Sequence, residues 1–316
     1  MLFAWPEEPS YQGKSLSQWI RGVEYVNRNP SEEMRRALLA MGEPAVKRLM
    51  AILQKHDSIL KRKFLDYASK HVELQNRYVA TRKVVPEDVY HAEAATALGE
   101  MGPVAKDAVA ALEMACQDGN FDVASRAKAA LIKIRQESIE AALVELANPR
   151  STNWSRLAWM VKYLGTNGEP AVPLLVRALE DTNSGVRQTA AFALGGISSD
   201  PEASVPPLLE HLKDSDPAVR RYAVDAVINF KSAKQLIVPA LVNSMRDKDL
   251  NTWLGASYGL EKLLTSDEKE KVLVPALVES LRSPVPIIRE NAALFLRRLN
   301  PDIAAREIPR DQNGAK

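Results

Sequence analysis

The feature that most constrains this chain is a four-point apolar pattern that keeps returning with a proline attached. Val172, Leu175, Val176 and Leu179 stand at i, i+3, i+4 and i+7, the spacing that lines up four side chains on one helix face. The same face returns as Val205, Leu208, Leu209, Leu212, as Val238, Leu241, Val242, Met245, and as Val274, Leu277, Val278, Leu281. A proline follows the first member each time: Pro173, Pro206, Pro239, Pro275. Proline suits the first helical turn, where its missing N–H would be unpaired anyway. Each pattern therefore marks the start of a helix, here called helix B, and the starts lie 33, 33 and 36 residues apart. One such unit cannot bury its own apolar face. A period of this size therefore commits the chain to stacked units that share a continuous core.

A second helix, helix A, is expected fourteen residues after each anchor. The clearest copies are Val186, Ala190, Ala193, Leu194, Ile197 and Val219, Ala223, Ala226, Val227, Phe230. Small residues at their centres allow close helix approach. A polar turn headed by Asp181, Asp214 or Asp247 joins B to A. Weaker copies lie upstream. Ile139, Ala142, Leu143, Leu146 reads as a B helix, as does Val109, Leu112, Glu113, Cys116 with one mismatch, followed by Asp118 and Val123 in register. The earliest is Val46, Leu49, Met50, Leu53, after an A helix over 31–41. A Gly-x-Pro turn between helices occurs at Gly42-Glu43-Pro44 and Gly168-Glu169-Pro170, and without the spacer at Gly102-Pro103.

Composition agrees with thin, closely packed helices: 46% of residues are hydrophobic but only 6% aromatic. The net charge of +2, from 42 basic and 40 acidic residues, gives no global attraction to nucleic acid or an acidic membrane. A single cysteine, Cys116, excludes an intrachain disulfide. No apolar run reaches the ~20 residues of a membrane span. The start, Met1 to Pro6, lacks the basic flank of a signal peptide. The expectation is a soluble, monomeric chain, either cytoplasmic or, with an upstream signal or anchor trimmed away, exported by a bacterium.

A 33-residue period is shared by several solenoids. Ankyrin repeats would show Thr-Pro-Leu-His, and tetratricopeptide repeats would place proline at the repeat end; neither occurs. The run Asp-x-x-x-x-x-Arg, at Asp181–Arg187 and Asp214–Arg220, precedes an alanine-rich helix. It resembles HEAT repeats of the short, phycobilisome-lyase-like kind over about 30–300. The resemblance implies an all-α fold, a right-handed α-solenoid (α-α superhelix) of HEAT-like helix pairs. Gly13-Lys14-Ser15-Leu16 with Trp19-Ile20 resembles a segment that precedes such arrays in bacterial proteins, often behind an export signal or anchor. Ser15 or Ser17 is expected to cap a short helix, with Trp19 and Ile20 covering the open end of the array. The expected division is an N-terminal capping segment at 1–29, a solenoid at 30–300 and a polar, frayed tail at 301–316. An irregular basic insertion at about 72–88 interrupts the solenoid.

No constellation for chemistry emerges, so no catalytic, cofactor or metal residues are assigned. His56, His71, His91 and His211 show no metal-binding spacing, and the latter three are followed by Val, Ala and Leu. Deoxyhypusine hydroxylase, a HEAT-like enzyme, holds iron through His-Glu pairs, and none exists here. His211 and His71 are expected on helix surfaces, and Cys116 as a buried hydrophobe by register. Arg187, Arg220 and Arg289 recur at one position, expected to bond the preceding turn with its aspartate as ion partner; Trp253 replaces them once. Trp154, Trp159 and Trp253 are noted, with core packing expected for at least two.

The candidate partner-binding residues fall in three groups. One is the basic stretch 53–85, with Lys61, Arg62, Lys63, Arg77, Arg82 and Lys83. The second is two rows on the B helices: Arg177, Glu210, Asn243, Glu279, and Glu180, Lys213, Arg246, Arg282. These rows have mixed sign, explained by inter-repeat pairs such as Arg177 with Glu210 or by a protein partner. The third is Trp253. The leading expectation is a non-catalytic scaffold presenting the B-helix face to a protein. The alternative is nucleic-acid binding through 53–85, resembling HEAT-like DNA glycosylases; a pigment-partner lyase or chaperone rests on the family resemblance alone.

Overall fold

The computed structural model describes residues 8–20, 32–54 and 87–308. The candidates Lys61, Arg62, Lys63, Arg77, Arg82 and Lys83 lie outside the described residues, as do His56, His71 and the tail beyond 308. In chain order the elements are β1 (Ser10–Tyr11), β2 (Lys14–Ser15), α1 (Leu16–Ile20), α2 (Glu32–Leu53), α3 (Glu87–Met101), α4 (Val109–Ala115), α5 (Phe121–Arg135), α6 (Glu140–Leu146) and α7 (Trp154–Leu164). They continue as α8 (Val172–Ala178), α9 (Ser184–Ile197), α10 (Pro201–Glu210), α11 (Pro217–Val227), α12 (Lys234–Ser244), α13 (Leu250–Leu263), α14 (Val274–Ser280), α15 (Pro286–Leu299) and α16 (Pro301–Glu307). The chain divides into two compact units, Met1–Gly168 and Glu169–Lys316.

In the first unit the A helices α3, α5 and α7 pack in sequence order, with α4 on α5 and α6 on α7. The helix expected over 31–41 and the B helix from Val46 are both present, meeting inside α2 at Gly42 (φ 57°, ψ −139°). That conformation is open essentially to glycine alone, so the Gly-x-Pro turn is a kink between two helices. In the N-terminal segment α1 packs on α2, and Leu16 and Ile20 are buried. Trp19 is half-buried, its indole N–H bonded to the Tyr11 carbonyl at 3.2 Å within the β1–β2 hairpin. The hairpin is an addition to the expected cap: Ser10 pairs with Ser15 and Tyr11 with Lys14.

In the second unit α8, α10, α12 and α14 are the expected B helices, and Val172, Leu175, Val205, Leu208, Leu241, Val274 and Leu277 are all buried. The A helices α9 and α11 approach so closely that a Cβ on Gly195 would lie 2.6 Å from the Ala226 Cα. The alanine-rich centres read from the sequence are what permit this approach. The 36-residue spacing before Val274 accommodates a capped turn, Ser266–Glu268, and a π-helical stretch, Lys269–Leu273. The C-terminal segment corrects the expected frayed tail. Asn300 caps α16 by accepting from the Ile303 N–H at 2.9 Å, Pro301 opens it, and Ala304 and Ile308 are buried.

Candidate binding surfaces

The B-to-A turns carry a two-residue polar device. The aspartate at the head accepts a bond from the N–H two residues on: Asp118 from Asn120 (2.7 Å), Asp181 from Asn183 (2.8 Å), Asp214 from Asp216 (2.9 Å) and Asp247 from Asp249 (2.8 Å). That second residue is the N-cap of the following A helix in all four turns. Side-chain oxygens there satisfy helix N–H groups that have no other partner. The recurrent arginines complete the device. Arg187 donates to the Asp181 carbonyl at 2.9 Å, as expected, but its ion partner is Asp214 of the next turn, through two bonds of 2.8 Å. Arg220 repeats this with the Asp214 carbonyl (3.0 Å) and the Asp247 carboxylate (2.6 and 2.9 Å). The expected pairing within one turn is thus corrected to a ladder linking successive turns. The Arg187 hydrogen bond holds the Asp214 carboxyl below the ordinary aspartate range. Burial pushes Asp247 upward, but the Arg220 bond and the Asp249 N–H outweigh it, and its pKa is also lowered.

Trp253 is corrected from candidate surface to core. It is fully buried, its indole N–H bonded to the Ser280 hydroxyl at 3.0 Å and its ring edge-on to Phe295 at 5.9 Å. Trp154 is buried too, bonded to the Leu146 carbonyl at 3.0 Å, so two of the three tryptophans pack in the core as expected. His211 is likewise not on the surface. It is buried, with Nδ1 and Nε2 each 2.8 Å from a carbonyl oxygen, those of Pro207 and Leu179.

The other candidates stand where the register puts them. Arg177, Glu210, Asn243 and Glu279 are exposed, as are Glu180, Lys213, Arg246 and Arg282. The inter-repeat pair that forms is Arg246 with Glu279, at 2.8 Å. Arg177 with Glu210 is not among the ion pairs of the described residues.

The first unit holds a second surface that the pattern did not announce. Its B helix α6 starts 30 residues after its predecessor (109 to 139) and has no proline at its second position. Helices α4 and α8 are each preceded by a 3₁₀ segment, Gly102–Ala108 and Gly165–Ala171; only the short link 136–139 precedes α6. This B helix therefore lacks its N-terminal turn. Of its expected face only Leu146 is buried, while Ile139, Ala142 and Leu143 are partly open. A cleft of about 460 Å³ lies between the C-terminal ends of α4 and α6, walled by Glu113, Cys116 and Gln117 on one side and Glu145 on the other. Its floor is Ala124, Ser125, Lys128 and Leu131 of α5 with Arg156, Leu157 and Met160 of α7. Beside the walls Met114 and Val144 are 71% and 75% exposed, the most open large apolar side chains among the described residues. Cys116 is corrected from buried to half-buried, and burial raises its thiol pKa. The Glu113 mismatch is explained as well: it points to solvent and pairs with Arg135. Ser125 is buried and its hydroxyl has no hydrogen-bond partner, which costs about 1–3 kcal/mol if left so.

Both units are stacks of antiparallel helix pairs joined by repeating polar turns, which defines an α-helical repeat protein. A family profile described as HEAT repeats matches residues 139–211 and 205–297, and the span 139–297 is 159 of the 316 residues. The chain belongs to the HEAT-repeat proteins, with the all-α solenoid fold of that family. Solved structures similar to it include an archaeal HEAT-like repeats protein from Thermococcus onnurineus NA1 (15% identity, 72% of this chain and 100% of that one, TM-score 0.39). Others are the CpcE–CpcF complex of phycocyanin lyase from Nostoc sp. PCC7120 (19%, 86% and 97%, 0.36) and human deoxyhypusine hydroxylase (16%, 78% and 96%, 0.35). No curated protein matches the sequence significantly. Among the described residues no group of three His, Cys, Asp or Glu could hold a metal ion, and no helix is long and apolar enough to cross a membrane.

Proposed function

We propose that this chain is a non-catalytic scaffold that docks a protein partner on the B-helix face of residues 169–316. The observation that carries this reading is the double row of exposed side chains, Arg177, Glu210, Asn243, Glu279 and Glu180, Lys213, Arg246, Arg282. Two fixed positions on successive helices give an extended, regularly spaced surface of mixed sign. Rows of this kind suit the alternating charges of a protein surface, whereas a nucleic-acid backbone asks for uniform positive charge. Cross-linking of the native complex tests it: the reading expects cross-links from the lysines of this chain to cluster near the B face, at Lys213 above all. Cross-links confined to the A-helix side, at Lys262, would count against it.

A further inference from the structure

We propose that the cleft between α4 and α6 binds a small amphiphilic anion, a molecule with a carboxylate or phosphate head and an apolar body. Three observations converge on this chemistry. The cavity, at about 460 Å³, lies in the range of small-molecule sites, which are apolar with a few converging polar groups. Leu131, Leu157 and Met160 supply the apolar floor. Ser125 lies among them with a shielded hydroxyl that no protein group satisfies. A serine within a helix normally back-bonds to a carbonyl one turn earlier, as Thr96, Ser244 and Ser257 do here at 2.9–3.1 Å. The Ser125 hydroxyl lacks that bond, and a rotation of its side chain toward the cleft it lines would give it an acceptor on the ligand. The charge balance points the same way. Lys128, Arg135 and Arg156 line the cleft against Glu113 and Glu145, and Arg135 is already tied to Glu113 and Glu137. Lys128 and Arg156 are then opposed by Glu145 alone, so the head of the ligand meets an excess of positive charge.

The cleft contains its own reporter. Cys116 is the single cysteine of the chain and stands in the wall, so the rate of its alkylation by N-ethylmaleimide reads occupancy. The full chain is labelled with increasing decanoate, decyl phosphate or uncharged decanol, each rate normalised to that of the unliganded protein. The proposal expects a saturable slowing of at least fivefold with one or both anions, and little with decanol. Stronger protection by decyl phosphate assigns a phosphate head, and stronger protection by decanoate a carboxylate. Lys128 and Arg156 are both exposed, so Lys128→Glu with Arg156→Glu should leave the thermal midpoint unchanged and abolish the protection. Lys128→Arg with Arg156→Lys should restore it. Unchanged labelling with both anions, equal protection by decanol, or full protection in the double-glutamate variant would overturn the proposal.

Discussion

Trp253 stands at the position that Arg187, Arg220 and Arg289 occupy in the other repeats, and the reason lies one repeat further on. The turn that should offer it a carboxylate has Ser283 where Asp214 and Asp247 stand, so an arginine at 253 would have no ion partner there. The indole fills the space instead and donates to Ser280. Trp253→Ala should therefore lower stability by about 3–5 kcal/mol, measured by denaturant unfolding, rather than act selectively on binding. Arg187→Ala breaks a well-shielded two-bond pair and should cost about 2 kcal/mol in the same measurement. The ladder also makes a pH prediction. Asp214 and Asp247 have folded-state pKa values below the ordinary 3.8. Their contribution is fully present above that unfolded value and is lost as pH falls through the lower, folded values. Asp214→Asn with Asp247→Asn should reduce the stability lost between about pH 5 and about pH 2, as read by urea midpoints; an unchanged acid limb would remove the ladder from the account.

At the scale of elements, the B helices were legible because proline and the i, i+3, i+4, i+7 face are both local signals. The N-caps stand outside the apolar pattern, although Asn183, Asp216 and Asp249 recur 33 residues apart, each two residues after a turn aspartate. Helix α16 was missed for a related reason: its signal is Asn300 followed by Pro301, a cap and a first-turn proline, rather than an apolar face. The hairpin of two-residue strands carries no period to read. Helix α6 was placed correctly, but the exposure of its face was not foreseeable from its four apolar positions. That exposure follows from a length difference, 30 residues against 33, whose meaning appears only when α4 and α8 show the 3₁₀ segment that α6 lacks. Gly195→Ala should destabilise by about 1–3 kcal/mol, because the added methyl meets the α11 backbone and no side chain there can give way.

For the whole molecule, the repeat explains Arg187, Arg220 and Trp253 and leaves the solvent-facing rows of the B helices without a structural duty of comparable weight. Only the Arg246–Glu279 pair joins the rows internally. A scaffold needs such a surface, and its register was visible in the sequence; what docks there depends on chemistry outside this chain. The most direct measurement of the scaffold reading is partner retention on native affinity purification by two variants of equal fold. Lys213→Glu with Arg282→Glu alters the B rows, and Lys262→Glu with Arg297→Glu alters exposed positions on the A helices α13 and α15. Both should keep the wild-type thermal midpoint within about 2 °C, since surface changes rarely exceed ~0.5 kcal/mol. The scaffold reading predicts that the protein partner held by the wild type is lost from the B-row variant and kept by the A-helix variant. Retention by the B-row variant at wild-type level, or loss confined to the A-helix variant, would contradict it.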